Sequence, residues 1–132
     1  MKLSILLIIN AVIALIFGIV FVLTPGPAVI AYGVTPEPAL NYIAQLFGGA
    51  LITIAILTWL VRNAAASEAL QAIIVALLVG NAIGFVVALI AQLVGVVNAL
   101  GWATVVIYLL LTLGYAYFEF ARPSMVRPAT SS

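Results

Sequence analysis

Four stretches of this chain stay apolar for longer than a helix needs to cross a bilayer, and that constrains its fold more than any other feature. They cover residues 3–23 (LSILLIINAVIALIFGIVFVL), 39–61 (ALNYIAQLFGGALITIAILTWLV), 69–94 (beginning ALQAIIVALLVG) and 102–120 (WATVVIYLLLTLGYAYFEF). A helix spans the hydrocarbon core in about 20 residues. Membrane strands are shorter and alternate in polarity, whereas these runs are continuous. Of the 132 residues, 67% are hydrophobic and only 5% are charged, against about 25% charged in a soluble domain. Lipid is therefore the solvent for most of the chain. The expected fold is all-α, an integral-membrane antiparallel four-helix bundle, with residues 1–122 as one transmembrane domain and 123–132 as a short tail.

The connections carry their own chemistry. Residues 24–38 (TPGPAVIAYGVTPEP) interrupt the first helix with prolines and glycines, and their apolar centre, AVIAYG, suits the interface or a shallow inward dip. Thr35 followed by Pro36 reads as a helix cap with proline at the first helical position, with Glu37 at the positive helix end. Ser67 in RNAAASE (62–68) is the expected cap of the third span, and GVVNALG (95–101) is a third short turn. Short connections favour antiparallel packing of successive helices. The first run also has a rival reading, as a secretory signal cleaved near Ala28. It is longer than the usual apolar core of about 7–15 residues, which favours retention.

The charges fix an expected orientation. All seven (Lys2, Glu37, Arg62, Glu68, Glu119, Arg122 and Arg127) lie at or near span ends. With the N-terminus inside, every Lys and Arg falls on the inner side and the two outer loops hold none. The positive-inside rule then places both termini in the cytoplasm. Tyr32, Tyr42 and Trp102 fall near the outer interface, and Trp59, Tyr115 and Tyr117 near the inner one, as aromatic belts do.

The reactive inventory is thin. The chain has no Cys, His or Asp. This excludes disulfides, Cys/His zinc sites, imidazole ligation of haem and a Ser-His-Asp triad. Glu37, Glu68 and Glu119 belong to separate connections or ends, with Glu37 across the bilayer from the other two, so they form no paired-carboxylate site. The net charge of +1 gives no nucleic-acid footprint. No catalytic, cofactor-binding or metal-ligating residue is nominated, no cofactor is expected, and an enzyme is disfavoured.

The remaining signals concern packing. Ala76, Gly80, Gly84, Ala88 and Gln92 recur every four residues and so share a helix face. Small stripes of this kind let helices approach closely in lipid. Asn81 lies beside the stripe at mid-membrane depth. An unpaired amide is costly there, so it is expected to meet another helix, in a bond that contributes only about 0.6–2 kcal/mol. The first run offers Asn10, Ala14 and Gly18. The second offers Ala44, Gly48 and Ile52, with Gly49 and Thr53 alongside, and the fourth offers Thr104, Tyr108, Thr112 and Tyr115. The nominated packing and polar-core residues are Asn10, Gly18, Gln45, Gly48, Gly80, Asn81, Gly84, Tyr108 and Thr112, with Thr53 also turned inward. The plainer reading of each is packing within one chain. Glu119 and Arg122, three apart, read as a surface ion pair worth about 0–1 kcal/mol.

LFGGALITIAILTWLVRNA, LLVGNAIGFVVALIAQLVGVVNALGW and YLLLTLGYAYF together resemble a group of small four-helix bacterial inner-membrane proteins classed as a domain of unknown function. The resemblance covers about residues 43–118, and Gly80, Asn81 and the VVNALGW turn carry most of it. It implies the architecture and a bacterial cytoplasmic membrane, and carries over no catalytic residue. DoxX-like proteins share only the general layout. Small multidrug transporters are similar in size but place a carboxylate in their first helix, where this chain has Asn10. The leading expectation is a non-enzymatic scaffold or accessory subunit whose partners are the lipid bilayer and a second copy or a larger membrane complex. The alternative is a small transporter or channel for an uncharged or lipophilic solute.

Overall fold

A computed structural model describes residues 2–128, and Met1 and the last four residues of the expected tail lie outside the described residues. The helices are α1 (Leu3–Leu23), α2 (Pro25–Ala31), α3 (Pro38–Leu60), α4 (Glu68–Val94) and α5 (Gly101–Ala116). A π-helical turn, Tyr117–Ala121, extends α5, and a 3-10 turn, Pro123–Met125, follows. There is no strand among the described residues. Four helices are long and apolar enough to cross a membrane: Leu3–Leu23, Pro38–Leu60, Glu68–Val94 and Gly101–Ala121. The expected all-α architecture is present: an antiparallel four-helix bundle with its first and last described residues on one side.

Local chemistry sets the helix limits. Thr24 closes α1, with its amide and its hydroxyl both bonded to the Val20 carbonyl (2.9 and 2.8 Å). Pro25 lacks an amide hydrogen and opens α2 at its first position. The AVIAYG segment is thus mostly helical, as part of α2. The cap of α3 falls two residues beyond the expected Thr35–Pro36 pair, on Glu37 with Pro38 first in the helix. Both pairs put proline where no amide hydrogen is needed, and sequence alone cannot choose between them. Ser67 Oγ caps α4 by accepting from the Leu70 amide at 3.1 Å. Gly95 ends α4 at φ +87°, a conformation that disfavours residues with a Cβ, and its amide bonds back to Ala91.

Backbones pack closely in two hairpins, α1 with α3 and α4 with α5. The expectation that all successive spans are neighbours fails at one step: α3 and α4 are joined by a short turn but are not packed along their lengths. A cavity separates them. Phe17, Phe21 and Phe47 face the space between the hairpins, and Phe21 and Phe47 contact each other with centroids 5.5 Å apart.

The hairpins meet at their two ends. At the end carrying the termini, Leu3, Leu6 and Leu7 of α1 pack with Leu70, Ile74 and Leu77 of α4 and Leu111 and Tyr115 of α5. Phe118 and Val126 complete this core. The π turn lets two successive residues, Phe118 and Glu119, both turn inward. Residues 123–128 are not a free tail: Val126 is fully buried and its carbonyl accepts from the Ser67 amide at 3.2 Å. Tyr115, expected in an interfacial belt, is also fully buried. At the opposite end Asn98 is the lock. Its amide bonds to the Tyr32 carbonyl (2.9 Å) and its Nδ2 to the Ala31 carbonyl (3.0 Å), tying the 95–100 turn to the end of α2.

Candidate functional site

Between the two end contacts lies a cavity of about 750 Å³. Its walls come from all four long helices: Ala14 and Phe17 on α1, Phe47, Leu51 and Ile54 on α3, Ala76, Gly80 and Ala88 on α4, and Ile107 and Leu111 on α5. Apolar side chains make up nearly the whole lining, and none of the seven charged residues touches it. Ligand chambers commonly fall between about 300 and 1,000 Å³ and combine an apolar wall with a few polar groups.

Five polar side chains reach the wall: Asn10, Tyr32, Asn81, Thr104 and Tyr108. Two of them bond to each other, Tyr32 Oη and Thr104 Oγ1 at 2.7 Å. Asn10 donates from Nδ2 to Tyr115 Oη at 2.6 Å, the one side-chain hydrogen bond that crosses between α1 and α5 among the described residues. Asn81 is the central residue of α4 and donates to the Leu77 carbonyl of its own helix at 2.7 Å. The expected interhelical bond of Asn81 is therefore absent. The carbonyl one turn back is within reach of this amide, and the residue lines the cavity. Tyr108 lays its ring over Gly84, where an added Cβ would overlap ring carbons.

The other nominated residues divide clearly. Gly18 and Gly48 face each other in the α1–α3 seam: a Cβ on Gly48 would lie 2.7 Å from the Gly18 carbonyl oxygen. Gly80 packs on nothing, with no atom within 4 Å of its missing Cβ, and lines the cavity instead of a helix contact. Gln45 is exposed, not inward, and its Nε2 donates to the Val22 carbonyl at 3.1 Å, near the end of α1. Thr53 is exposed as well and bonds to the Gly49 carbonyl. Thr112 gives its hydroxyl to the Tyr108 carbonyl at 2.7 Å and has no part in the cavity.

Sequence reasoning missed two polar contacts that hold the structure around the cavity. Asn10 is seven residues into α1 and Tyr115 six residues before the end of the fourth span, so at about 1.5 Å per residue both lie roughly 10 Å from the same end. That count was available from sequence. The second contact was not. Glu119 pairs with Arg127, not with Arg122, at 2.6 Å, and Gln71 Nε2 donates to the same oxygen at 3.3 Å. Glu119 is 4% exposed while Arg127 is 44% exposed, so the carboxylate of the pair is buried. Its register depends on the π turn, which has no sequence signature.

The cavity contains no nucleophile paired with a base and no carboxylate, and no group of three His, Cys, Asp or Glu among the described residues could hold a metal ion. What the wall offers is apolar contact and a few hydrogen bonds. Fold and site together define a multi-pass helical membrane protein with a ligand-sized, charge-free chamber inside its bundle. No protein-family model, curated protein or solved structure matches the chain.

Proposed function

We propose that this is a non-enzymatic membrane protein that binds or passes an uncharged, lipophilic solute through the space between its hairpins. The observation carrying this reading is the 750 Å³ chamber with no charged residue in its wall. A charged solute there would lose its hydration and find no counter-charge. The sequence alone favours an accessory subunit. The chamber tips the balance, because a scaffold built only for assembly gains nothing from leaving its own helices apart. The host membrane in this reading is a bacterial cytoplasmic membrane with both termini inside, supported by Lys2, Arg62, Arg122 and Arg127 lying toward the same end.

The test is native mass spectrometry of the protein released from its own membranes, beside a Gly80→Leu variant that fills the chamber. A neutral lipophilic adduct on the wild type and its loss in the variant is the expected result. A bare wild-type protein that also takes up no neutral lipophile in nanodiscs would remove the proposal. One observation favours a second reading, assembly with a partner helix: Gln45, Gly49 and Thr53 form an exposed stripe on α3, and nothing lies within 4 Å of where a Gly49 Cβ would be. The chain has no Cys, so a Gly49→Cys variant is a clean crosslinking probe. Efficient crosslinking in membranes, with no adduct, would favour assembly.

A further inference from the structure

The polar groups in the chamber wall are not equivalent, and the difference identifies the head group that belongs there. Tyr32 and Thr104 bond to each other, and Asn10 gives an N–H to Tyr115, both pairs away from the middle of the bundle. Asn81 and Tyr108 keep capacity. The one hydrogen bond of the Asn81 amide among the described residues runs from Nδ2 to Leu77. The residue is 9% exposed. No donor reaches its Oδ1 among the described residues, and Asn81 lines the chamber. The Tyr108 ring sits over Gly84, three residues beyond Asn81 and so about 4.5 Å further along the axis. An amide and a phenol thus line the chamber less than one helical turn apart in level.

Depth decides what can use them. Asn81 is midway along the 27 residues of α4, about 20 Å from either end of the helix. A phospholipid keeps its charged head at the interface and brings only acyl chain to this level. A bare chain leaves the Asn81 acceptor unpaired in an apolar space, which is costly. A hydroxyl solves both halves of the problem. Its O–H donates to Asn81 Oδ1, and its oxygen accepts from the Tyr108 phenol or the second Asn81 N–H. An ether or a hydrocarbon cannot donate.

We infer that the chamber selects neutral lipophilic alcohols or phenols, holding the hydroxyl at mid-membrane between Asn81 and Tyr108 with the apolar body along the wall of α3. This rests on the chamber being a binding site, and the test separates the two claims. The protein is placed in phosphatidylcholine nanodiscs with a hexadecanol bearing a diazirine next to the hydroxyl. Hexadecan-1-ol and hexadecyl methyl ether are the competitors. The expected result is labelling around Asn81 and Tyr108, with the alcohol competing about tenfold better than the ether, the ratio that one good hydrogen bond supports. Asn81→Leu lowers the alcohol to the level of the ether, and Tyr108→Phe, which keeps the ring over Gly84, lowers it in part. Equal competition by alcohol and ether on the wild type overturns this inference and leaves the chamber reading standing; that comparison needs no variant to fold. No labelling above that of Gly80→Leu overturns the chamber reading itself.

Discussion

The seam between α1 and α3 and the α4 side of the gap both carry small residues, yet one is closed and the other open. In the seam Gly18 meets Gly48, and either Cβ would run into the opposite backbone. In the gap Ala76, Gly80 and Ala88 face open space. Gly84, from the same stripe, is taken by the Tyr108 ring. A small-residue stripe permits close approach but does not create it. Closure needs a second flat surface opposite, and α1 supplies one to α3. What faces the α4 stripe is a set of Phe, Leu and Ile side chains from the other hairpin. Small against large leaves a chamber where small against small leaves a seam.

The sharpest way to break this contrast is to put the same side chain on both surfaces. Gly48→Leu forces a branched side chain against the Gly18 carbonyl and the side chains of Phe21 and Val22. Overpacking costs about 1–3 kcal/mol, and more where the obstacle is backbone, so a loss of about 3 kcal/mol is expected in a denaturant titration in bicelles. At Gly80 an added Cβ meets nothing, and the rest of a leucine side chain has the chamber to enter. Gly80→Leu gains up to about 1 kcal/mol of helix propensity and should leave stability equal or raised while abolishing uptake of the lipophile. Equal destabilisation by the two would mean that the gap closes in the membrane.

Gly84 is the intermediate case. Its obstacle is a ring, which can swing into the chamber, so Gly84→Ala should cost about 1–2 kcal/mol, less than at a backbone contact. In a Tyr108→Ala background the same change should turn neutral or mildly stabilising, since Ala is the better helix former. A double-mutant cycle reads the coupling, and additive effects would show that the ring is not held over Gly84. A smaller effect is expected at the joint between hairpins. Tyr115→Phe removes the acceptor for Asn10 while keeping the packing, and should cost about 1 kcal/mol, within the range for hydrogen bonds between membrane helices.

The membrane spans were legible because apolar length over about 20 residues has few other meanings. The small residues were legible as a class, but not by partner. A four-residue repeat specifies a face, and nothing in it states which helix that face meets. So Gly48 and Gly80 looked alike in sequence and differ in the fold. Polar side chains were harder still. Asn10 and Asn81 are the same residue in similar surroundings, yet Asn10 reaches Tyr115 on another helix and Asn81 turns to its own carbonyl. The choice depends on what stands opposite at the same depth, and for Asn81 that is a cavity. The Glu119–Arg127 pair was hidden because it depends on a turn of irregular pitch and a chain that folds back over it.

The smallest effect on stability is expected where the sequence pointed most strongly. If Asn81 gripped another helix, Asn81→Leu would strand a partner and weaken the bundle by the 1–2 kcal/mol such bonds reach in model helices. In this fold its hydrogen bond runs to Leu77, a carbonyl of its own helix whose position does not depend on it. Leucine is the better helix former and costs less in hydrocarbon. The variant should therefore unfold within about 0.5 kcal/mol of the wild type or slightly later, while losing its preference for an alcohol over an ether. Stability and binding then separate at one residue, as they should when a polar group faces a chamber. A loss of stability above about 1.5 kcal/mol, with binding unchanged, would instead give Asn81 a partner helix, whether by closure of the gap or from a second chain.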